Sequence, residues 1–183
     1  MILGTTPVTT LGEKIGQLAQ TYIGQTEIPG NKGFTNPEFQ KKMVAMGFQT
    51  THSWCLYFCE LVWKEAYGKT HPLFVAIDKL ISASALSTYY NFKGAEGWEV
   101  NNTPEVGAIM CFKHGVDPKK WEGHGCIVVE TLEDKKVRTV DGNTNDEGGR
   151  EGYIVARKIR SYGNPPSPKG LNFLGFIHPR STI

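Results

Sequence analysis

The spacing of apolar residues in the first part of the chain predicts two amphipathic helices. Residues 11–23 carry apolar side chains at helical intervals, and Thr10 with Glu13 occupies the positions of a capping box before them. Residues 36–46 follow the same spacing after an Asn-Pro pair, in which the asparagine can cap the helix and the proline fits its first turn. The polar, glycine-rich stretch between the two predicts a loop.

A third helix is expected from Trp54 to about Tyr67, with Ser53 as its cap and a glycine after its end. Its apolar stripe is wide enough to indicate a buried helix, and Cys55 lies in its first turn. A shorter helical region, interrupted by serines, is predicted over residues 76–92.

Beyond this point the pattern changes to short segments rich in branched and aromatic residues, which are typical of strands. Residues 133–136 predict a hairpin turn between the second and third of them. Helices followed by antiparallel strands favour an α+β fold, with the helices on one face of a five- to six-stranded sheet arranged as a meander. We expect one domain over residues 1–183, with 1–9 as a flexible tail. The predicted strands are 106–112, 125–130, 137–141, 153–159 and 171–177.

Composition and charge exclude several classes of protein. Twenty basic and eighteen acidic residues give a net charge of +2 without a basic cluster, so a nucleic-acid partner is not expected. Four cysteines in 183 residues are too few for a disulfide scaffold, and the one close pair, Cys55-x-x-x-Cys59, lacks a partner pair at zinc-finger spacing. We therefore expect no cofactor and no metal. Cys59, Cys111 and Cys126 are interpreted as small buried residues.

The amino terminus gives an expectation about localisation. Residues 1–7 contain neither a basic segment nor a sustained apolar run, and no stretch of the chain has the length of a membrane span. We expect synthesis in the cytoplasm without a signal peptide, and no membrane partner.

Three widely separated segments carry residue types that together make a cysteine hydrolase. A thiol attacks a carbonyl as thiolate, and the start of a helix lowers a thiol pKa through its unpaired N–H groups. Cys55 has that position, although a buried core cysteine is the alternative interpretation. His124, between two glycines at the entry to an apolar strand, is the candidate base. Strand alternation puts His124, Cys126 and Val128 on one face, which we expect to be the core side, where a helix can reach them.

The next strand supplies candidates for the group that orients the histidine. If the two strands pair through the predicted hairpin, Asp141 comes near His124 and can accept its ring N–H. Asn143 is the other candidate, and the sequence does not choose between them. A simple Asp-Gly-Asn turn is one alternative. A calcium loop is another, but Asp146 and Gly152 stand where that motif requires glycine and glutamate.

Taken together, these segments resemble the CHAP amidase/peptidase family, which is related to the NlpC/P60 hydrolases within the papain-like fold. The resemblance rests on Trp54-Cys55 at a helix start, a Pro-x-x-Gly strand entry at 104–107, Gly-His before an Ile-Val strand, and Asp-Gly-Asn at 141–143. Two positions depart from the usual family pattern: Ala108 replaces an acidic residue, and Gly-His-Gly-Cys replaces Gly-His-Val-Gly.

The resemblance implies a peptidoglycan hydrolase that acts as an N-acetylmuramoyl-L-alanine amidase or as an endopeptidase of stem or cross-bridge peptides. Cys55 matches the family nucleophile, His124 the base, Asp141 the acidic member and Asn143 a further polar member of the site. Peptidoglycan is then the expected partner, reached after phage lysis or specialised secretion, and an effector would have a cognate inhibitor. The alternatives are a thiol hydrolase or acyltransferase acting on another amide, and a catalytically silent wall-binding module.

Overall fold

The computed structural model describes residues 9–145 and 152–181. Most of the tail expected at 1–9 lies outside these residues, and so does Asp146 of the calcium-loop alternative. Within them, none of the helices has the length and apolar character needed to cross a bilayer. The chain forms five helices and then a six-stranded antiparallel sheet, which confirms the α+β class.

Five helices form the first part of this region, one more than the pattern predicts, because the serine-rich region 76–92 divides into two. Ser84 ends the extended break between them and caps the second with its side chain, which accepts from the Ser87 N–H. Asn36 caps the second helix of the chain as expected. The helices are α1 (Leu11–Thr21), α2 (Pro37–Ala45), α3 (Cys55–Tyr67), α4 (Phe74–Leu80) and α5 (Ala85–Gly94).

The five predicted strands are present, and a two-residue edge strand joins them. The turn at residues 133–136 connects two of them, with Asp134 and Lys135 in the left-handed region at φ 55° and 53°. The expected meander is only partly right, because the last strand pairs with the second and not with its predecessor in sequence. The strands are β1 (Val100–Asn101), β2 (Ile109–His114), β3 (Gly123–Leu132), β4 (Lys136–Thr144), β5 (Ile154–Ser161) and β6 (Leu171–Ile177), in the order β1-β6-β2-β3-β4-β5.

The sheet has two buried faces. Helices α1, α3 and α5 pack on one of them, over a core that includes Trp63, Ile127 and Val140. The other face holds a second apolar cluster, which we call the concave cluster. There the ring of Tyr162, just after β5, lies 5.8 and 5.3 Å from the rings of Phe173 and Phe176 in β6. Since three strands separate β5 from β6, the sheet must curl over this face. The concave cluster consists of Ala108, Met110, Phe112, Cys126, Val128, Val137 and Phe176.

The packing of β3 differs from the expectation that Cys126 and Val128 face the helices. Cys126 and Val128 share a face, as alternation predicts, but they pack in the concave cluster and not under the helices. Ile127 faces the helices instead. Gly125 lies on that same side, where an added Cβ would come within 2.8 Å of the Leu56 side chain. The missing side chain therefore lets the start of α3 approach β3 closely.

A second close approach, between α1 and the loop before β2, gives a stability prediction. A Cβ on Gly12 would lie 2.3 Å from the backbone oxygen of Val106. Replacing a helical glycine with alanine usually stabilises a protein by about 0.5–1 kcal/mol, but overpacking against fixed backbone costs about 1–3 kcal/mol. We expect Gly12→Ala to lower the free energy of unfolding measured in urea.

The matched control is Gly94→Ala in α5, where an added Cβ meets no atom within 4 Å. This variant should be as stable as the wild type or more stable. Equal or greater stability of Gly12→Ala would contradict the close packing of α1 on the loop.

Candidate functional site

Cys55 is the first residue of α3 and lines a groove of about 600 Å³ on the surface. The expected Ser53 cap is wrong: Trp54 occupies the cap position, and no side chain bonds to the helix start. The Trp54 ring is buried, and its Nε1 donates to Glu27 Oε2 over 2.7 Å. Because no side chain caps the first turn of α3, the N–H groups of that turn remain directed at the position of Cys55.

His124 lies at the start of β3, opposite Phe112 of β2. The Cys55 thiol lies close enough to this imidazole, and to the backbone N–H groups of Gly125 and Leu56, for all three groups to lower its pKa. Position 125 is a glycine, and its missing side chain leaves room for Leu56 of α3 against the strand. The Gly-His-Gly departure from the family pattern thus has a local structural reason.

Asp141 is hydrogen-bonded to His124 on the side away from Cys55 and extends the site to three side chains. Its carboxylate is fully buried, and Oδ2 accepts from His124 Nε2 over 2.8 Å. Since Nε2 is bound to Asp141, Nδ1 is the ring nitrogen left to face Cys55. The β3–β4 hairpin brings the two residues together, with Ile127 opposite Val140 in the ladder.

Two further residues hold the Asp141 carboxylate, and the sequence reasoning missed both. Arg160 on β5 donates to Oδ2 through Nη2 at 2.5 Å and Nε at 3.0 Å, while Thr139 Oγ1 donates to Oδ1. The guanidinium also lies over the Phe112 ring, 5.8 Å from its centroid. Arg160 falls one residue beyond the predicted strand 153–159, so alternation within that segment gave no signal for it.

The electrostatics of the site favour a charged pair. Burial alone would raise the pKa of the Cys55 thiol, but the His124 hydrogen bond and charge, with the two backbone N–H groups, outweigh it and lower that pKa. Burial alone would lower the pKa of His124, and its bonds to Asp141 and Cys55 raise it instead. Both shifts favour a Cys55 thiolate beside a His124 imidazolium over the neutral pair.

The other three cysteines differ from Cys55 in the direction in which the pKa of the thiol is shifted. All three are free and buried, and burial raises the pKa of each thiol. They remain neutral thiols near pH 7, so a thiol-directed reagent should select Cys55. These residues are Cys59, Cys111 and Cys126.

The group formed by His124, Cys126 and Asp141 is poorly suited to bind a metal ion. Ligand atoms of His124, Cys126 and Asp141 lie within 4.8 Å of one another, and this is the one such group within residues 9–145 and 152–181. However, Asp141 already binds the imidazole and the guanidinium of Arg160, and a dication there would stand beside that guanidinium. The arrangement suits acid–base chemistry better than metal binding.

Asn143 lines the same groove but takes no part in the hydrogen bond between His124 and Asp141. It lies on β4 with φ 52°, and its buried Oδ1 has no hydrogen-bond partner among the residues the structure describes. Between the two candidates, it is therefore Asp141 whose side chain contacts His124. The groove also contains Asn31, Trp121 and Lys158, so its walls are polar with one exposed aromatic ring.

Comparison with known proteins identifies a family for the middle of the chain. A family model described as the CHAP domain matches residues 47–143, more than half of the chain. The matched segment begins before α3 and ends at Asn143, so it contains Cys55, His124 and Asp141. Neither curated proteins nor solved structures give a significant match.

Proposed function

The chain belongs to the CHAP-domain family, and we propose that it cleaves an amide bond of peptidoglycan with Cys55 as nucleophile. Members of this family are usually hydrolases, and the domain indicates a peptidoglycan-related amidase or peptidase. The observation that carries the proposal is the position of Cys55 beside an imidazole, that of His124, which is itself hydrogen-bonded to the buried Asp141 carboxylate. Cys55 also lines a surface groove, from which a substrate could reach the sulfur.

In the proposed mechanism the Cys55 thiolate attacks the carbonyl carbon of the scissile amide. The backbone N–H of Cys55, at the uncapped start of α3, stabilises the oxyanion that forms. The His124 imidazolium gives its proton to the amide nitrogen, the C–N bond breaks, and the amine leaves a thioester on Cys55. His124 then removes a proton from water, which attacks the thioester and releases the acid and the thiolate.

Asp141 and Asn143 have different parts in this proposal. Asp141 holds the imidazole with Nδ1 toward Cys55 and stabilises its positive charge. Asn143 is the fourth polar member, placed on the groove wall to contact the substrate. We propose that residues 1–183 form one catalytic domain, and that it reaches the wall through phage lysis or specialised secretion. An effector of this kind would have a cognate inhibitor protein.

The function is tested by digesting purified sacculi and identifying the fragments by mass spectrometry. An amidase should release peptides with a new amino-terminal alanine and glycan strands without peptide, whereas an endopeptidase should release shortened stems or opened cross-bridges. Enzyme alkylated at Cys55 is the control and should release neither.

Intact sacculi combined with a reactive Cys55 would contradict the wall substrate. They would favour the alternative of a thiol hydrolase or acyltransferase on another amide. A Cys55 that no thiol reagent labels, together with retained binding to sacculi, would favour a silent binding module.

A further inference from the structure

Arg160 gives the candidate site a second cation beside the buried Asp141 carboxylate. A carboxylate that is fully buried needs compensation, and here two cationic side chains share one oxygen, Oδ2. Arg160 binds this oxygen through two nitrogens, and 23% of the Arg160 side chain is exposed, at the groove. The guanidinium also lies over the Phe112 ring.

A count of charges shows what this second cation does. The groups that face Asp141 and Cys55 are His124 and Cys126 from β3, Cys59 from α3, Cys111 from β2 and Arg160 from β5. The three other thiols are neutral near pH 7, because burial raises the pKa of each. The same groove is also lined by His114, Glu122 and Lys158, and Lys158 donates to the backbone oxygen of Asn145.

With Cys55 as thiolate, the cluster then holds two negative and two positive groups and is neutral. Without Arg160, the same state would place two anions and one cation in a buried site. The imidazolium would have to compensate Asp141 and the thiolate together, and the neutral thiol would become the more stable form.

We propose that Arg160 is a positioning residue, which neutralises and orients Asp141 so that the positive charge of His124 is available to the Cys55 thiolate. This inference rests on the proposed function only for the identity of the nucleophile. It concerns the reactivity of the free enzyme and involves no wall substrate.

The test is the rate of Cys55 alkylation by iodoacetamide, measured from about pH 5 to about pH 9. Arg160→Gln keeps an amide that can donate to Asp141 but removes the charge. At about pH 6 we expect this variant to react about tenfold more slowly than the wild type, with a similar rate on the alkaline plateau. Arg160→Lys restores the charge and should bring the rate at that pH back to within about twofold of the wild type.

Arg157→Gln is the matched control, because Arg157 lies on the same strand and donates to Gln20 away from the groove. It should leave the pH profile unchanged, and thermal melting of every variant reports on folding separately. An Arg160→Gln profile with the wild-type midpoint would overturn the proposal, whatever its effect on melting. So would a lysine variant that shifts as far as the glutamine variant. Failure of the wild type to digest sacculi would affect only the proposed substrate.

Discussion

Replacing Cys55 with alanine is expected to abolish the release of fragments from sacculi while leaving the fold intact. The thiol supplies the only nucleophile in the proposed mechanism, and loss of a nucleophile lowers the catalysed rate by roughly four orders of magnitude or more. The folded protein loses one buried sulfur, which costs about 1 kcal/mol of stability at most. Fragment release measured by chromatography and thermal melting measured by circular dichroism separate the two effects.

Cys59→Ala is the control for this experiment. Cys59 lies one helical turn after Cys55 and is fully buried, and burial raises the pKa of its thiol well above the ordinary value. Its loss should change stability by a similar amount and leave hydrolysis at the wild-type level. Wall digestion by Cys55→Ala at the wild-type rate would disprove the thiol mechanism.

The second large effect is expected for Asp141→Asn, which should lower kcat by roughly 10²- to 10⁴-fold. The asparagine has nearly the same shape but carries no charge, so it stabilises the imidazolium much less. If its amide donates to His124 Nε2, the ring proton moves to Nδ1 and the base can no longer accept a proton from Cys55. Arg160 also loses its carboxylate partner. Steady-state hydrolysis of a soluble muropeptide gives kcat, and Cys55 alkylation should slow near neutral pH.

Glu130→Gln provides the comparison for this variant. Glu130 lies on β3 and pairs with Arg138 on β4 over 2.6 Å, so it is also a carboxylate bound to an arginine of the sheet, but it is exposed. A surface pair of this kind contributes little, and hydrolysis should not change. If Asp141→Asn retained wild-type kcat, Asp141 would be a structural partner of Arg160 and not a part of the mechanism.

The elements of the fold were largely predictable, since each depends on local chemistry. Helical spacing identified α1, α2 and α3, and the Asn-Pro pair gave the cap of α2. The predicted turn at residues 133–136 gave the β3–β4 hairpin, and with it the approach of His124 to Asp141. The division of 76–92 into two helices was missed, because a serine can interrupt a helix or cap the next one.

The cap of α3 shows where local reasoning gave the wrong result. Ser53 is a good cap by residue type, yet Trp54 takes that position because burial of its ring and its bond to Glu27 decide the start of the helix. Glu27 lies far upstream in sequence, so the pattern around Ser53 held no information about this contact. The same applies to the pairing of β6 with β2, which joins segments separated by three strands.

The sequence by itself determined the class of fold, the family resemblance, and the three residue types at a helix start and on two neighbouring strands. Periodicity, capping and turn preference act over a few residues, so those features could be read from the chain. Only the tertiary structure decided that Asp141 rather than Asn143 binds His124, that Leu56 packs closely against Gly125, and that Arg160 holds the carboxylate. These contacts depend on strand register and on the curl of the sheet, which follow from the packing of the whole core.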